Sequence, residues 1–169
     1  MAILPILEYP DPRLRAVAQP VAQVDDDVRQ LVENMAETMY AAPGVGLAAP
    51  QVGVALRIFV IDIAGEDEPS DLHVFINPEL LQTDGTQSWN EGCLSFPGIS
   101  EDIKRAERVL LRALDRDGKP FELEAHGLMA VAIQHESDHL DGVLMIDKVG
   151  ALKRRLMGKK LARRQHASP

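Results

Sequence analysis

The chain has 169 residues, 46% hydrophobic and 26% charged. That is the balance of one soluble globular domain, 1–169, whose core needs no disulfide staple. It excludes a collagen, a disordered chain and a disulfide-dense mini-domain, and the single cysteine, Cys93, has no internal partner. The formal net charge of −8 argues, taken whole, against nucleic acid or an anionic membrane. The charge is unevenly spread, however. Seven of the 18 basic residues lie in 151–169 with no acid among them, so the tail is +7. The remainder sets 11 basic against all 26 acidic residues, or −15. Such asymmetry can mark an interaction surface.

In chain order, Pro5, Pro10 and Pro12 make the opening a poor helix. It lacks the basic start and apolar run of a secretory signal, and no stretch approaches the roughly 20 apolar residues of a membrane span. The expectation is a cytoplasmic monomer in a reducing compartment, with no membrane and no DNA partner. Asp25, Asp26 and Asp27 supply a helix cap and first-turn acids. Val28, Leu31, Val32, Met35 and Met39 then mark one helical face, stopped at Pro43-Gly44. Residues 56–63 read as a buried strand and 73–76 as a second, ended by Asn77-Pro78. Residues 79–90 read as a hairpin turning at Asp84-Gly85. A further hairpin joins 108–114 to 121–125 across Asp117-Gly118. Residues 128–140 form an apolar helix closed by Asp141-Gly142. Leu152, Leu156 and Leu161, spaced by Lys and Arg, predict a terminal basic helix within 150–169, docked by those leucines. Strands grouped centrally with helices set apart give an α+β fold.

His135-Glu136-Ser137-Asp138-His139 fits H-E-x-x-H. On a helix, i and i+4 share a face, so both imidazoles can reach one metal ion, with Glu136 placed to take a proton from activated water. The bland reading is a chance match. Against it, two histidines on the apolar stripe of Leu128 and Val131 are costly unless satisfied. A catalytic centre of this kind usually has three protein ligands. A third His would fall at 145, which is Met145, and no Glu follows Glu136. Downstream there remain Asp141, Asp147 and His166, all near helix ends, turns or the terminus. A lone cysteine is ordinarily a small buried hydrophobe. With the pair short of a downstream partner, Cys93 in Glu91-Gly92-Cys93-Leu94-Ser95 becomes the upstream candidate.

The stretch 44–53, Gly-Val-Gly-Leu-Ala-Ala-Pro-Gln-Val-Gly, reads most simply as a helix-to-strand loop. It fits neither nucleotide-loop pattern. Its small residues next to Gln51 would let a peptide backbone approach, with the amide polarising a carbonyl. His73 and His126 have no partner spacing and read as structural or solvated. Trp89 either flanks a groove or packs.

The three segments GxGLAAxQ (44–51), EGCLS (91–95) and QHExDH (134–139), in this order, resemble the peptide deformylase family. The resemblance extends to the opening 6–15 and the basic end. Some members carry an Arg shortly after EGCLS; residues 96–101 hold none. The resemblance implies sheets wrapped around the helix bearing His135 and His139, with further helices at the N- and C-terminal ends. It implies removal of the formyl group from N-formylmethionine of new polypeptides, releasing formate. It implies one divalent metal, natively Fe(II) with Zn, Ni or Co as substitutes, held by Cys93, His135 and His139. Glu136 is implied as general base, and Gln51 with the Leu94 backbone N–H as oxyanion donors. Gly46 would pair with the substrate backbone, and Val45, Leu128, Val131 and Ala132 would line a pocket for the methionine side chain. The basic helix, 152–164, offers a docking element for ribosomal RNA. The rival readings are a zinc peptidase that can dispense with Cys93, and an RNA-binding protein with a structural metal site.

Overall fold

The computed structural model describes residues 2–167, with side chains through residue 163. Helix α1 (Asp26–Ala41) precedes seven strands: β1 (Gly46–Ala48), β2 (Ile58–Ile61), β3 (His73–Asp84), β4 (Gln87–Cys93), β5 (Phe96–Arg105), β6 (Arg108–Leu114) and β7 (Pro120–His126). Helices α2 (Gly127–Leu140) and α3 (Ala151–Ala167) follow. Short 3-10 turns occupy Pro12–Arg15, Ala49–Val52 and Met145–Lys148. This is the expected α+β fold, and all strand pairings are antiparallel. No described helix is long and apolar enough to cross a membrane.

The five-stranded sheet, ordered β1-β2-β3-β6-β7, is covered on both faces. That explains why every residue of β2 is buried rather than every second one. Phe59 and Ile61 face α2, packing with Phe75, Leu111 and Ile133. Ile58 and Val60 face α1, packing with Val32, Met35 and Met39. The α1 stripe read from the sequence is therefore the core face, and Asp25 caps it by accepting from the Val28 N–H at 3.0 Å. The 108–126 hairpin also forms as expected. The Asp115 carboxylate accepts from the N–H groups of Asp117 and Lys119, and Gly118 takes the positive φ the turn requires.

Three expectations are corrected. Asn77-Pro78 does not end β3; the strand bulges there and continues to Asp84. Asn77 adopts φ +51° and its side chain bonds the backbone of Val21 in both directions, at 2.8 and 2.9 Å. Those bonds hold the turn that lets a proline sit in a strand. Asp84-Gly85 turns the chain, but not into a hairpin with β3. The free edge of β3 is taken by β6, while β4 pairs with β5 in a separate two-stranded sheet. And 44–53 is not a plain loop: it forms β1 and a 3-10 turn that ends at Gly53, φ +80°.

The two-stranded sheet packs on a further apolar cluster with Leu14, Leu144, Ile146, Met157 and Leu161. Here the docking face of α3 departs from expectation. Leu161 is buried, but its companion is Met157, one turn earlier, while Leu152 and Leu156 stand 70% and 55% exposed. Met157 and Leu161 are four apart and share a face; Leu152 and Leu156 fall on another. Leu161→Ala should cost about 2–4 kcal/mol of folding stability. The check is urea denaturation, where an unchanged midpoint would show that α3 does not dock on this cluster.

Candidate active site

Three separate pieces of chain meet at one cleft of about 700 Å³. The α2 helix brings His135, Glu136 and His139, all at least nine-tenths buried. The end of β4 brings Cys93, at a register shift beside Gly92. The 3-10 turn after β1 brings Gln51. Among the described residues, Cys93, His135 and His139 form a cluster whose ligand atoms all lie within 4.8 Å of one another. Cys93 Sγ is 3.4 Å from His139 Nε2. A tetrahedral cation with bonds of about 2.0–2.3 Å sets its ligands about 3.3–3.8 Å apart, a spacing the Cys93–His139 pair meets. The soft thiol and two imidazoles are a donor set suited to zinc or iron. The downstream alternatives are engaged elsewhere: Asp141 with Arg57 at 3.1 Å, Asp147 with Arg15. The His166 side chain lies outside the described residues.

The orientation of His135 is fixed by a group that sequence reasoning did not assign. Its Nδ1 lies 3.0 Å from Glu91 Oε1. A carboxylate only accepts, so the proton sits on Nδ1 and Nε2 is left for a metal. Glu91 is held in turn by Arg105, whose Nε and Nη2 donate at 2.7 and 3.0 Å, and Arg105 also reaches Asp138 at 2.9 Å. Burial works against charge on Glu91, but His135 and Arg105 outweigh it and lower its pKa. At His135 burial is likewise outweighed, by Cys93 and Glu91, and the pKa rises well above the usual value. At His139 burial prevails, reinforced by the charge of His135, and the pKa falls well below it. The available signal was Glu91 itself, two residues before the candidate ligand.

Glu136 is buried, and that burial raises its carboxyl pKa to about 7. Among the described residues its Oε1 has no hydrogen-bond partner, nor does Nδ1 of His139. A buried carboxylate oxygen without a donor is costly, and here it is poised to take a proton. Gly46 answers to the same carboxylate: a Cβ there would stand 2.6 Å from Glu136 Oε2. Gln51 is aimed by its neighbours. Its Oε1 accepts from the Ala48 N–H at 2.9 Å, which turns Nε2 toward Ser95 Oγ at 3.0 Å and Cys93 Sγ at 3.6 Å. Val45, Leu94, Leu128, Val131 and Ala132 all line the cleft, as does Trp89, 40% exposed. His73 lies 3.2 Å from Asp71, and His126 precedes α2; neither belongs to the site.

A model of the family described as polypeptide deformylase matches residues 3–155. The chain belongs to the peptide deformylase family. The peptide deformylase of Alkalilimnicola ehrlichii is 60% identical over 161 residues, covering 95% of this chain and 90% of that protein. That of Azotobacter vinelandii is 54% identical, covering 98% and 99%. The crystal structure of a peptide deformylase from Legionella pneumophila superposes with a TM-score of 0.91 at 46% identity, covering 99% of this chain and all of that one. As a peptide deformylase the chain is an enzyme, a hydrolase of protein biosynthesis acting on nascent peptides. In a deformylase built this way, Glu91→Gln should weaken retention of a divalent metal about 10–100-fold. Competition against a chelator measures it; unchanged retention would remove Glu91 from the orienting role.

Proposed function

We propose that the chain removes the formyl group from N-formylmethionine at the start of new polypeptides, releasing formate, in the cytoplasm. The observation that carries this reading is the meeting of Gln51, Cys93, His135 and Glu136 in one cleft, with His139 beside Cys93. A single divalent metal, Fe(II) by family resemblance with Zn, Ni or Co as substitutes, would be held by Cys93, His135 and His139. When bound, it supplies Lewis acidity that lowers the pKa of water and polarises the formyl oxygen.

The remaining work falls to the chain's own groups. Glu136, with a pKa near 7, takes the proton of the attacking water and passes it to the departing amine. Gln51 Nε2 and the Leu94 backbone N–H donate to the oxygen where negative charge develops. β1 lies at the edge of its sheet, paired only with β2, so its outer side can take an extended peptide as an added strand. The Gly46 backbone makes that pairing. Val45, Leu128, Val131 and Ala132 give the methionine side chain an apolar seat.

The test is anaerobic formate release from formyl-Met-Ala-Ser with added Fe(II). Glu136→Gln should lower kcat by about 10²–10⁴-fold while metal content is retained. Activity surviving that change rules out the general-base reading.

A second reading concerns α3. Its exposed Leu152 and Leu156 lie among cations, and of its described side chains only Met157 and Leu161 are buried in the core. We infer that this outer face docks on ribosomal RNA. Because Met157 and Leu161 are core, truncating the helix would confound docking with unfolding. Charge reversal at Arg155 and Lys159 is the cleaner probe. It should weaken ribosome cosedimentation and flatten its salt dependence, with peptide deformylation unchanged. Unaltered cosedimentation would reject the docking.

A further inference from the structure

Asp62 stands just beyond β2 and is 6% exposed. Its Oδ2 accepts the Tyr40 hydroxyl at 2.6 Å and the Asp71 N–H at 3.0 Å; its Oδ1 accepts the Ala64 N–H at 2.9 Å. Burial alone would raise the Asp62 pKa, but these donors outweigh it and lower it. Burial and the same carboxylate push the Tyr40 phenol up to about 12. The pair is therefore a neutral donor on a charged acceptor across the pH range of most assays, the stronger class of hydrogen bond.

The backbone of Asp62 makes a second attachment. Its N–H donates to the Val45 carbonyl at 2.8 Å. Tyr40 lies in the last turn of α1, and Val45 immediately precedes β1. The segment between them contributes Ala42, Pro43 and Gly44 to the wall of the cleft. One residue thus fastens this rim at both ends, its side chain at Tyr40 and its main chain at Val45. The next residue, Gly46, pairs with Ile61, the neighbour of Asp62. Neither Asp62 nor Tyr40 lines the cleft.

We propose that Asp62 and Tyr40 are positioning residues for substrate: together they hold the 41–46 rim in the register that receives the formylated peptide. The proposal rests on the reading that β1 binds that peptide. A loosened rim must be ordered when substrate binds, so the cost falls on binding rather than on groups around Glu136.

The experiment is steady-state formate release from formyl-Met-Ala-Ser by the full, metal-loaded chain. Wild type, Tyr40→Phe, Asp62→Asn and the double variant are compared, with melting temperature and amide hydrogen exchange at residues 44–46 followed in parallel. Each single variant should raise KM roughly three- to tenfold, with kcat within about twofold. The double variant should cost less than the two singles combined, because both changes act on the Tyr40–Asp62 bond. Exchange at 44–46 should quicken in Tyr40→Phe. A lowered melting temperature with unchanged KM and unchanged exchange overturns the proposal, as do fully additive KM effects. Tyr40 is 43% exposed, so Tyr40→Phe gives a folded protein to measure even where Asp62→Asn does not. Wild type that releases no formate defeats the deformylation reading instead, and the exchange rates then still decide whether the clamp exists.

Discussion

A buried guanidinium holds the cleft together. The Arg105 side chain is 4% exposed and belongs to β5, yet it bonds Glu91 of β4 and Asp138 of α2. Burying such charges costs several kcal/mol each, and the cost is tolerable only where the donors and acceptors meet in good geometry. Here the fork engages both oxygens of Glu91, and Oε1 also accepts the hydrogen bond of His135 Nδ1. An apolar residue in place of Arg105 would stick the two-stranded sheet to α2 but would not set an angle. The fork does set one, and through Glu91 it fixes the imidazole that faces Cys93. Stability and site geometry thus depend on the same three side chains.

This arrangement also explains what could and could not be read from the sequence. The α1 and α2 helices and the 108–126 hairpin were legible because local rules decide them: an Asp25 cap, a 3.6-residue apolar stripe, an Asp-Gly turn. The metal-type triad was legible in part from spacing, since His135 and His139 share a face by geometry, while Cys93 entered by the lack of a downstream partner. β5 was not legible. It reads Phe-Pro-Gly-Ile-Ser-Glu-Asp-Ile-Lys-Arg, and its inward positions include Arg105, a charge that a pattern of apolar alternation scores as solvent-facing. Its burial is decided by Glu91, fourteen residues back, and Asp138, thirty-three ahead. The same holds for β3, where a proline predicts an ending and only the distant bonds of Asn77 to Val21 permit continuation. In α3, the usual burial of leucine marks Leu152 and Leu156 as anchors, and the neighbouring elements select Met157 instead.

Glycine and alanine in 44–49 follow from the same crowding. β1 packs on α2 through Ala48 and on α1 through Leu47, and Gly46 passes Glu136 with no room for a side chain. At Gly44 a Cβ would stand 2.8 Å from the end of the Leu94 side chain, a contact that a flexible leucine can relieve. The two glycines therefore differ: Gly46 is constrained by a buried carboxylate, Gly44 by a movable neighbour. A substrate strand added to β1 would meet a backbone brought close to Glu136 by the absence of that one Cβ.

Cys93 ties the site to the far end of the chain. Two histidines on one helix need only α2 to be rigid. Cys93 is different, because its position depends on the sheet of β4 and β5 staying seated. That sheet is seated at one end by Arg105 and along its apolar face by the cluster containing Phe96, Ile103, Met157 and Leu161, against which Cys93 itself packs. Lys160 reaches the Gly98 carbonyl at 2.7 Å and Lys153 pairs with Glu101 at 3.3 Å, so α3 grips β5 by polar contacts as well. The basic helix is thus two things at once. One face closes the core that seats Cys93, with Lys153, Arg154 and Lys160 bound to neighbouring elements, while Arg155, Lys159 and Arg163 stand exposed and apart from that packing. A change on the inner face acts on the seat of Cys93, whereas a change at the exposed cations leaves the sulfur where it is.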